Sequence, residues 1–389
     1  LMPNLLNKLR MLEAETPRPA RSLAAEKPGE CHHVRRLFPH TLFCSFANAD
    51  PELLQSLYGC AFSRETQKED ILFLDTETTG LSGGAGTVAF QVGAGYFTQS
   101  GFVVEQWLMH DYSQEAMLLA ALNGLMKRFS VICTFNGRTF DVPLLKTRFL
   151  MNRIAGPRIP AIHADVLYPA RRVWKLRLKS CTLGHLEEEL LGVIREDDLP
   201  GALVPQAYFQ YLKDGNFAPM ERILAHNRQD IVSLAQLFFF LYQQAKHPEQ
   251  MNHAEDLFSL ARSLEKQAQR ESAVKCYRLL SKGSLRAQGF AALARDARRQ
   301  GQTDAAVKLY QAMLRRGEQP VESCEALAKL YEHQLKDPAQ AISYTRQALL
   351  ILSEPTLHSR DKAVQEKQIA LQYRYARLRR KFLKAPQDK

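Results

Sequence analysis

The sequence of 389 residues predicts an α/β domain followed by an all-α repeat domain. Between residues 70 and 248, short runs of β-branched and aromatic residues alternate with segments of helical periodicity. Beyond this region the strand signals end, and the motif Ala-Val-Lys-x-Tyr at residues 273–277 returns at 306–310. Two or three domains are usual for a chain of this length, at roughly 150 residues per domain.

Composition excludes several classes of protein. The hydrophobic fraction of 46% and the charged fraction of 24% are ordinary for globular proteins, which excludes disordered and collagen-like chains. The longest strongly apolar stretch, residues 231–242, is shorter than the roughly 20 residues that a membrane span needs. Seven scattered cysteines form no disulfide framework, and no secretory signal opens the sequence, so we expect a cytoplasmic protein.

Positive charge is unevenly distributed along the chain. The net charge is +11, and residues 359–389 alone contain ten basic and three acidic residues, a net of +7. A second basic run at residues 171–179 is interleaved with Trp174. Such patches attract phosphate backbones through counterion release, and the alternative interpretation is a solvated helix face.

The α/β domain is predicted to span residues 70–248, after an N-terminal extension of poor periodicity at 1–69. Strands are predicted at 71–74, 87–97, 102–109, 131–135 and 161–164. Helices are predicted at 114–129, 142–152, 180–191, from 205, and at 219–244. Three strands, then alternating helices and strands, then helices, is the order of an RNase H-like α/β domain.

The region 249–389 is predicted to consist of helical repeats. The motif at 273–277 and 306–310 recurs in part at 341–344, which gives a period near 34 residues. That period is typical of tetratricopeptide-like helix-turn-helix repeats, here closed by a basic helix. An irregular helical bundle is the alternative.

The extension contains two cysteines and three histidines close in sequence: Cys31, His32, His33, His40 and Cys44. Structural zinc sites favour short units of two cysteines separated by two to four residues, and this spacing matches no such pattern. We therefore predict no zinc site there.

An acidic pair, Asp75 and Glu77, directly follows a predicted buried strand. Side chains two residues apart on a strand project to the same face, so both carboxylates emerge together. Two adjacent acids repel each other unless something neutralises them. Hard oxygen ligands suit Mg²⁺ or Mn²⁺, which makes a divalent metal ion the natural neutraliser.

Further acids follow along the domain. Asp141 lies just past the strand at 131–135, at the start of the next helix, where an N-cap is the alternative role. Asp230 lies in a largely apolar helix, and His226 is four residues earlier on the same helical face.

Together these motifs resemble the DEDD 3′-to-5′ exonucleases of the DnaQ-like, RNase H-like superfamily. Residues 75–81 match the first motif, 135–145 the second and 226–230 the third. The four-residue step from His226 to Asp230 is the spacing of that superfamily's tyrosine subclass. A broader likeness is to the bacterial YprB-type exonucleases, in which this step is usual. It is carried by the repeats and by residues 163–165, 174, 180–183, 198–201 and 226–227.

The resemblance implies specific residue roles. Asp75, Glu77, Asp141 and Asp230 would hold two divalent ions, Mg²⁺ or Mn²⁺, with His226 as the general base. Contacts to the terminal nucleotide would come from four further residues: Thr78, Thr79, Leu81 and Asn136. For Asn136 the alternative is to tie down its own loop. Asp165 is expected to be structural, and His163 and His185 to be ordinary.

The resemblance also implies a function: a metal-dependent 3′-to-5′ DNA exonuclease in the repair of mitomycin-damaged DNA. The expected location is the bacterial cytoplasm, at the nucleoid, and the expected partners are DNA and a repair helicase that the repeats contact. One alternative is an RNA 3′-to-5′ exonuclease, because no motif reads a 2′-hydroxyl group. Another is a nuclease-like scaffold whose repeats recruit the helicase. Haloacid-dehalogenase phosphatases are disfavoured, because they need Asp where this chain has Glu77.

Overall fold

The computed structural model describes residues 30–46, 49–80, 86–195, 199–353 and 362–384. The predicted substrate contact Leu81 lies outside these residues. The chain divides into two compact units, Leu1–Met251 and Asn252–Lys389. Among the described helices, none has the length and apolar character needed to cross a membrane.

The first unit is built on a six-stranded sheet of order β1-β4-β3-β2-β5-β6. The strands are β1 (His32–Phe38), β2 (Ile71–Thr78), β3 (Ala89–Thr98), β4 (Gly101–Leu108), β5 (Val131–Thr134) and β6 (Ile162–Asp165). The pairs β1–β4, β4–β3 and β3–β2 are antiparallel, whereas β5 runs parallel to both β2 and β6. The mixed sheet confirms the predicted RNase H-like α/β class.

Helices pack around this sheet. They are α1 (Pro51–Tyr58), α2 (Glu115–Met126), α3 (Asp141–Met151), α4 (Leu167–Leu178), α5 (Leu183–Leu186), α6 (Val204–Asp214) and α7 (Ala218–Lys246). A π-helical turn, Glu187–Leu191, follows α5 directly. Short 3₁₀ turns lie at His40–Leu42, Lys68–Asp70, Tyr112–Gln114, Gly201–Leu203 and Pro248–Gln250.

Two elements of the N-terminal extension were not predicted from its sequence. β1 pairs along its whole length with β4, and α1 begins after Asp50, whose carboxylate accepts the backbone N–H of Glu52 at 2.9 Å. β1 is an edge strand with mostly exposed polar residues, so it lacks the apolar pattern that marks a buried strand. β2 is also longer than predicted, so Asp75 and Glu77 lie within the strand.

Two glycines of β3 allow α7 to lie close against the sheet. A methyl group at Gly93 would stand 2.1 Å from Oδ1 of Asn227. At Gly95 it would stand 2.4 Å from Cγ2 of Ile231 and 2.5 Å from Cζ of Phe102. This close approach brings the residues of α7 up to the acidic pair on β2.

Gly95→Ala is therefore expected to lower the free energy of unfolding by about 1–3 kcal/mol, the usual cost of overpacking a filled core. Gly124→Ala is the matched control, because Gly124 lies in α2, and beyond its chain neighbours and its own helix backbone the added methyl group meets no described atom within 4 Å. It should stabilise the protein by about 0.5–1 kcal/mol. Urea unfolding measures both, and equal effects of the two substitutions would contradict the tight packing of α7 on β3.

The second unit is all-helical throughout its described residues. Its helices are α8 (Ala254–Lys266), α9 (Arg270–Leu279), α10 (Arg286–Arg299), α11 (Thr303–Arg315), α12 (Pro320–His333), α13 (Pro338–Leu352) and α14 (Lys362–Lys384). The first alanine of each motif copy is fully or almost fully buried, at Ala273, Ala306 and Ala341. Equivalent small residues thus fill equivalent packing positions, which fits a repeat-like domain. A specific tetratricopeptide relationship stays a prediction.

Candidate active site

The central strand β2 carries the acidic pair. Asp75 and Glu77 are half-buried, while the residues that alternate with them, Thr76 and Thr78, are buried. Oδ2 of Asp75 accepts a hydrogen bond of 2.9 Å from the side-chain amide of Asn227 on α7. This bond fixes the orientation of the carboxylate at the junction of β2 and α7.

Helix α7 brings His226 and Asp230 up to Glu77. Nε2 of His226 lies 3.3 Å from Oδ2 of Asp230 and 3.9 Å from Oε1 of Glu77. One potential ligand atom from each of these three residues lies within 4.8 Å of the other two. In the described part of the chain, no other set of three histidine, cysteine or acidic residues is so close, including the N-terminal cysteines and histidines.

The remaining two predicted acids lie beside this triad in other hydrogen bonds. Asp141 is buried as the first residue of α3, and its Oδ1 accepts a hydrogen bond of 2.5 Å from Oγ1 of Thr76. Asp75 is close enough for the charges of Asp230, Asp141 and Glu77 to act on it. The structure therefore gathers all four acids at one place, with Glu77 and Asp230 closest to His226.

The electrostatics of this cluster favour a bound cation. Burial, reinforced by the three neighbouring acids, raises the pKa of Asp75 well above its ordinary value. Burial also raises the pKa of Asp141 to about 6, against the opposing hydrogen bond from Thr76. Carboxylates in such surroundings are stabilised in their charged form by a positive partner.

A buried side-chain amide next to the acids also favours a bound ligand at this place. Gln91 lies opposite Glu77 in the β2–β3 ladder and is fully buried. Neither its side-chain oxygen nor its side-chain nitrogen has a hydrogen-bond partner among the described residues. Buried polar groups are nearly always satisfied, so this amide fits a site that receives a further ligand.

Arg195 and Glu187 form ion pairs next to the acids, and the sequence analysis did not predict them. Arg195 forms an ion pair with Asp230 and donates to Nδ1 of His226 at 3.0 Å. It also pairs with both oxygens of the fully buried Glu187, each at 2.7 Å. The only sequence signal was the opposite charge of two residues eight positions apart, which is too common to single them out.

These contacts set the charge of Asp230. Burial opposes its ionised form, but the hydrogen bond from His226 and the charge of Arg195 outweigh that penalty, so the pKa of Asp230 lies below its ordinary value. Burial likewise opposes the charged form of Arg195, yet Asp230 and Glu187 raise its pKa. Asp230 thus has a protein cation, the guanidinium group of Arg195, directly against it.

Asn227 is a further residue that sequence reasoning did not assign. It is fully buried, and its Oδ1 accepts a hydrogen bond of 2.9 Å from Nε2 of Gln106 on β4. The same Gln106 nitrogen donates to the carbonyl oxygen of Leu224 at 2.8 Å. The chain from Gln106 through Asn227 to Asp75 links helix α7 to the acidic pair through satisfied hydrogen bonds.

The predicted substrate contacts take part in local turn structure. Oγ1 of Thr78 donates to the carbonyl oxygen of Gly80 at 2.7 Å, and Oγ1 of Thr79 accepts the N–H of Val88 at 3.0 Å. Asn136 is exposed, has a positive φ of 67°, and its Oδ1 accepts from Thr139 at 3.0 Å. Its side chain ties down its loop, and its contact with substrate stays a prediction.

Asp165 and the two remaining histidines have partners of their own. Asp165 accepts the backbone N–H groups of Asn136 at 2.8 Å and Arg138 at 3.0 Å, so it shapes the loop before α3. Nε2 of His163 lies 2.8 Å from Oγ1 of Thr134, and Nε2 of His185 lies 3.3 Å from the carbonyl oxygen of Leu178. These contacts fit the structural role expected for Asp165.

Comparisons with known proteins agree with the fold. Residues 72–242 match the family described as the RNase_H superfamily, and this range includes all the acids of the candidate site. The first unit is therefore an RNase H-like domain of the nuclease superfamily. The chain is also 30% identical over 325 residues to the uncharacterized protein YprB of Bacillus subtilis (strain 168), covering 81% of this chain and 76% of that protein. The chain belongs to the YprB family.

A solved structure also matches part of the chain. The family B DNA polymerase of the hyperthermophilic archaeon Pyrobaculum calidifontis is 14% identical, with a TM-score of 0.35. The match covers 54% of this chain and 29% of the polymerase, so the chain spans less than a third of the polymerase's length.

Proposed function

We propose that this protein is a metal-dependent 3′-to-5′ DNA exonuclease that acts in the repair of mitomycin-type lesions. The observation that carries the proposal is the convergence of Glu77, His226 and Asp230, with Asp75 and Asp141 beside them, in an RNase H-like domain. The direction of cleavage, the choice of DNA and the repair role rest on the resemblance of the sequence motifs to the DEDD exonucleases.

Divalent metal ions are proposed to bind Asp75, Glu77, Asp141 and Asp230. Mg²⁺ or Mn²⁺ fits this all-oxygen set, and when bound it supplies activation of the attacking water and stabilisation of the leaving 3′ oxygen. The raised pKa values of Asp75 and Asp141 support a cation there, because each carboxylate is more easily ionised next to one.

The protein's own groups orient the reaction. His226 is proposed to accept the proton of the attacking water, because its Nε2 lies on the side of Glu77 and Asp230. Asn227 holds the Asp75 carboxylate through its hydrogen bond of 2.9 Å. Asp165, through the loop before α3, helps to position Asp141.

One assay tests the proposal directly. The full-length chain is incubated with end-labelled DNA and RNA, single- and double-stranded, in the presence of Mg²⁺, Mn²⁺ or a chelator. We expect mononucleotide release from the 3′ end of DNA with either metal and none with chelator. Release from RNA alone would favour the RNA exonuclease, and inactivity on all substrates would favour the scaffold.

The second unit offers a surface for nucleic acid. A cavity of about 570 Å³ is lined by Lys282, Arg286, Phe290, Arg315 and Arg316, together with two small residues. Within the described part of the chain no ion pair is formed by Lys282, Arg315 or Arg316, and all three are exposed. Their charges are therefore available to phosphate groups.

Three basic residues of the closing helix α14 form ion pairs within the second unit. Nζ of Lys367 pairs with Glu322 at 2.7 Å, while Arg374 and Arg377 pair with Glu332 at 2.5 and 2.6 Å. Part of the positive charge that the sequence places at the C-terminus is thus neutralised inside the unit. The cavity is the better candidate for phosphate contact.

Replacing Lys282, Arg315 and Arg316 together by glutamine is expected to weaken binding to single-stranded DNA. The slope of log K against log salt should become shallower by about 2, since each lost phosphate contact contributes about 0.7. The matched control replaces Lys367, Arg374 and Arg377, which removes the same charge from paired residues and should change the slope less. Circular dichroism checks both folds, and equal slopes in the two triple variants would refute a phosphate role for the cavity.

A further inference from the structure

We propose that Arg195 is the resident counter-ion of the acidic site: it holds Asp230 and His226 in place without metal, and it yields Asp230 to an incoming divalent ion. The inference deepens the proposed function and rests on the metal site proposed there. No motif of the resemblance includes Arg195, and its position at the site comes from the three-dimensional contacts alone.

The contacts of Arg195 form a closed ring. Its Nη2 donates to Oδ1 of Asp230, its Nη1 donates to Nδ1 of His226 at 3.0 Å, and Nε2 of His226 lies 3.3 Å from Oδ2 of Asp230. Three groups thus satisfy one another. Both oxygens of Asp230 are engaged with protein donors, in the place where the proposed function needs them for metal.

This ring also fixes the tautomer of His226. A guanidinium group has only donors, so Nδ1 of His226 must be the acceptor of that hydrogen bond. The proton of the neutral ring then lies on Nε2 and points to Asp230. A protonated Nε2 cannot take a proton from water, so His226 is prevented from acting as a base at Nε2 as long as Arg195 stays on Nδ1.

Glu187 gives Arg195 a second anchor. This carboxylate is fully buried and accepts two hydrogen bonds of 2.7 Å from Nε and Nη2 of Arg195. It begins the π-helical turn after α5, a type of turn often found at functional sites. Arg195 can therefore release Asp230 and His226 and still keep a charged partner.

A metal ion and Arg195 then compete for the same carboxylate, so removing the guanidinium should tighten metal binding. In the full-length chain without nucleic acid, the free Mn²⁺ signal in electron paramagnetic resonance gives the Mn²⁺ dissociation constant. We expect Arg195→Gln to bind Mn²⁺ at least about fivefold more tightly than the wild type, the lower end of usual site-to-site coupling.

A double variant, Glu187→Gln with Arg195→Gln, removes the pair without leaving a buried carboxylate unpaired and without changing the net charge. It should also bind Mn²⁺ more tightly, which separates competition from a general change in potential. If the Arg195→Gln variant does not fold, the double variant still provides the measurement. The increase in melting temperature on adding Mn²⁺ should be larger in both variants than in the wild type.

Arg148→Gln is the matched control. Arg148 forms a comparable buried pair with Glu115, at 2.5 Å, in the same unit. It should lower the melting temperature and leave the Mn²⁺ dissociation constant unchanged. Unchanged or weaker Mn²⁺ binding by both Arg195 variants would overturn the counter-ion role alone. A wild type that binds no Mn²⁺ would overturn the proposed metal site as well.

Discussion

Amide substitution of any of the four proposed metal-binding carboxylates is expected to lower metal-dependent hydrolysis by about 10³-fold or more. The lost electrostatic stabilisation is of the order of several kcal/mol, and each 1.36 kcal/mol is about tenfold in rate. The variants are Asp75→Asn, Glu77→Gln, Asp141→Asn and Asp230→Asn. Single-turnover release of nucleotides from labelled DNA, at saturating Mg²⁺ and Mn²⁺, measures the effect.

Thermal melting in chelator separates loss of chemistry from loss of fold. Burial and the acidic neighbours raise the pKa of Asp75 in the folded state. As the pH rises above the ordinary pKa of an aspartate, ionising Asp75 therefore lowers the free energy of unfolding. The neutral amide avoids that cost, and Asp75→Asn should melt no lower than the wild type at neutral pH.

Glu105→Gln is the control for these amide substitutions. Glu105 lies on β4 of the same sheet, pairs with Arg35 at 3.2 Å, and accepts the hydroxyl of Tyr96 at 2.6 Å. Its loss should leave the hydrolysis rate within a factor of a few of the wild type. Folded variants of the four acids that keep near wild-type rates would contradict the metal-site assignment.

His226→Gln is expected to lower the rate by about 10²- to 10⁴-fold, the usual contribution of a general base. Glutamine keeps a polar side chain at the site but cannot take up a proton in the neutral range. The wild-type rate should fall at low pH as the base becomes protonated, and the fall should be shallower in the variant, where only the carboxylates of the site, Asp141 among them, take up protons. A pH–rate profile with both metals gives the comparison.

The matched histidine control is His163→Gln. Nε2 of His163 lies 2.8 Å from the hydroxyl oxygen of Thr134. Burial lowers the pKa of the His163 imidazole. This substitution should change neither the rate nor the form of the pH profile. A His226 variant with the same pH dependence as the wild type would show that His226 orients groups at the site without accepting the proton.

Part of the geometry of the candidate site follows from local sequence patterns. Asp75 and Glu77 belong to one buried strand, and the alternation of a strand places both on one face whatever surrounds it. His226 and Asp230 share a helical face for the same kind of reason. Their mutual approach was predicted only through the resemblance, because no local rule joins residues about 150 positions apart.

The edge strand β1 and the extended end of β2 escaped prediction for a different reason. β1 exposes most of its polar residues and is defined by its pairing with β4, a contact between distant parts of the chain. The extension of β2 through Thr78 depends on the backbone of β3, which pairs with it as far as Ala89. Hydrogen bonding to a neighbouring strand determined both elements.

The sequence by itself determined the order of an α/β region before a helical one, and which acids share one face of a strand or helix, because residue periodicity and strand alternation act over a few residues. Tertiary structure alone decided which groups surround those acids. Two β3 glycines let α7 reach β2, and the π-helical turn brings Glu187 to Arg195 and so to Asp230. These contacts depend on distances between separate elements, which only the packing of the folded chain fixes.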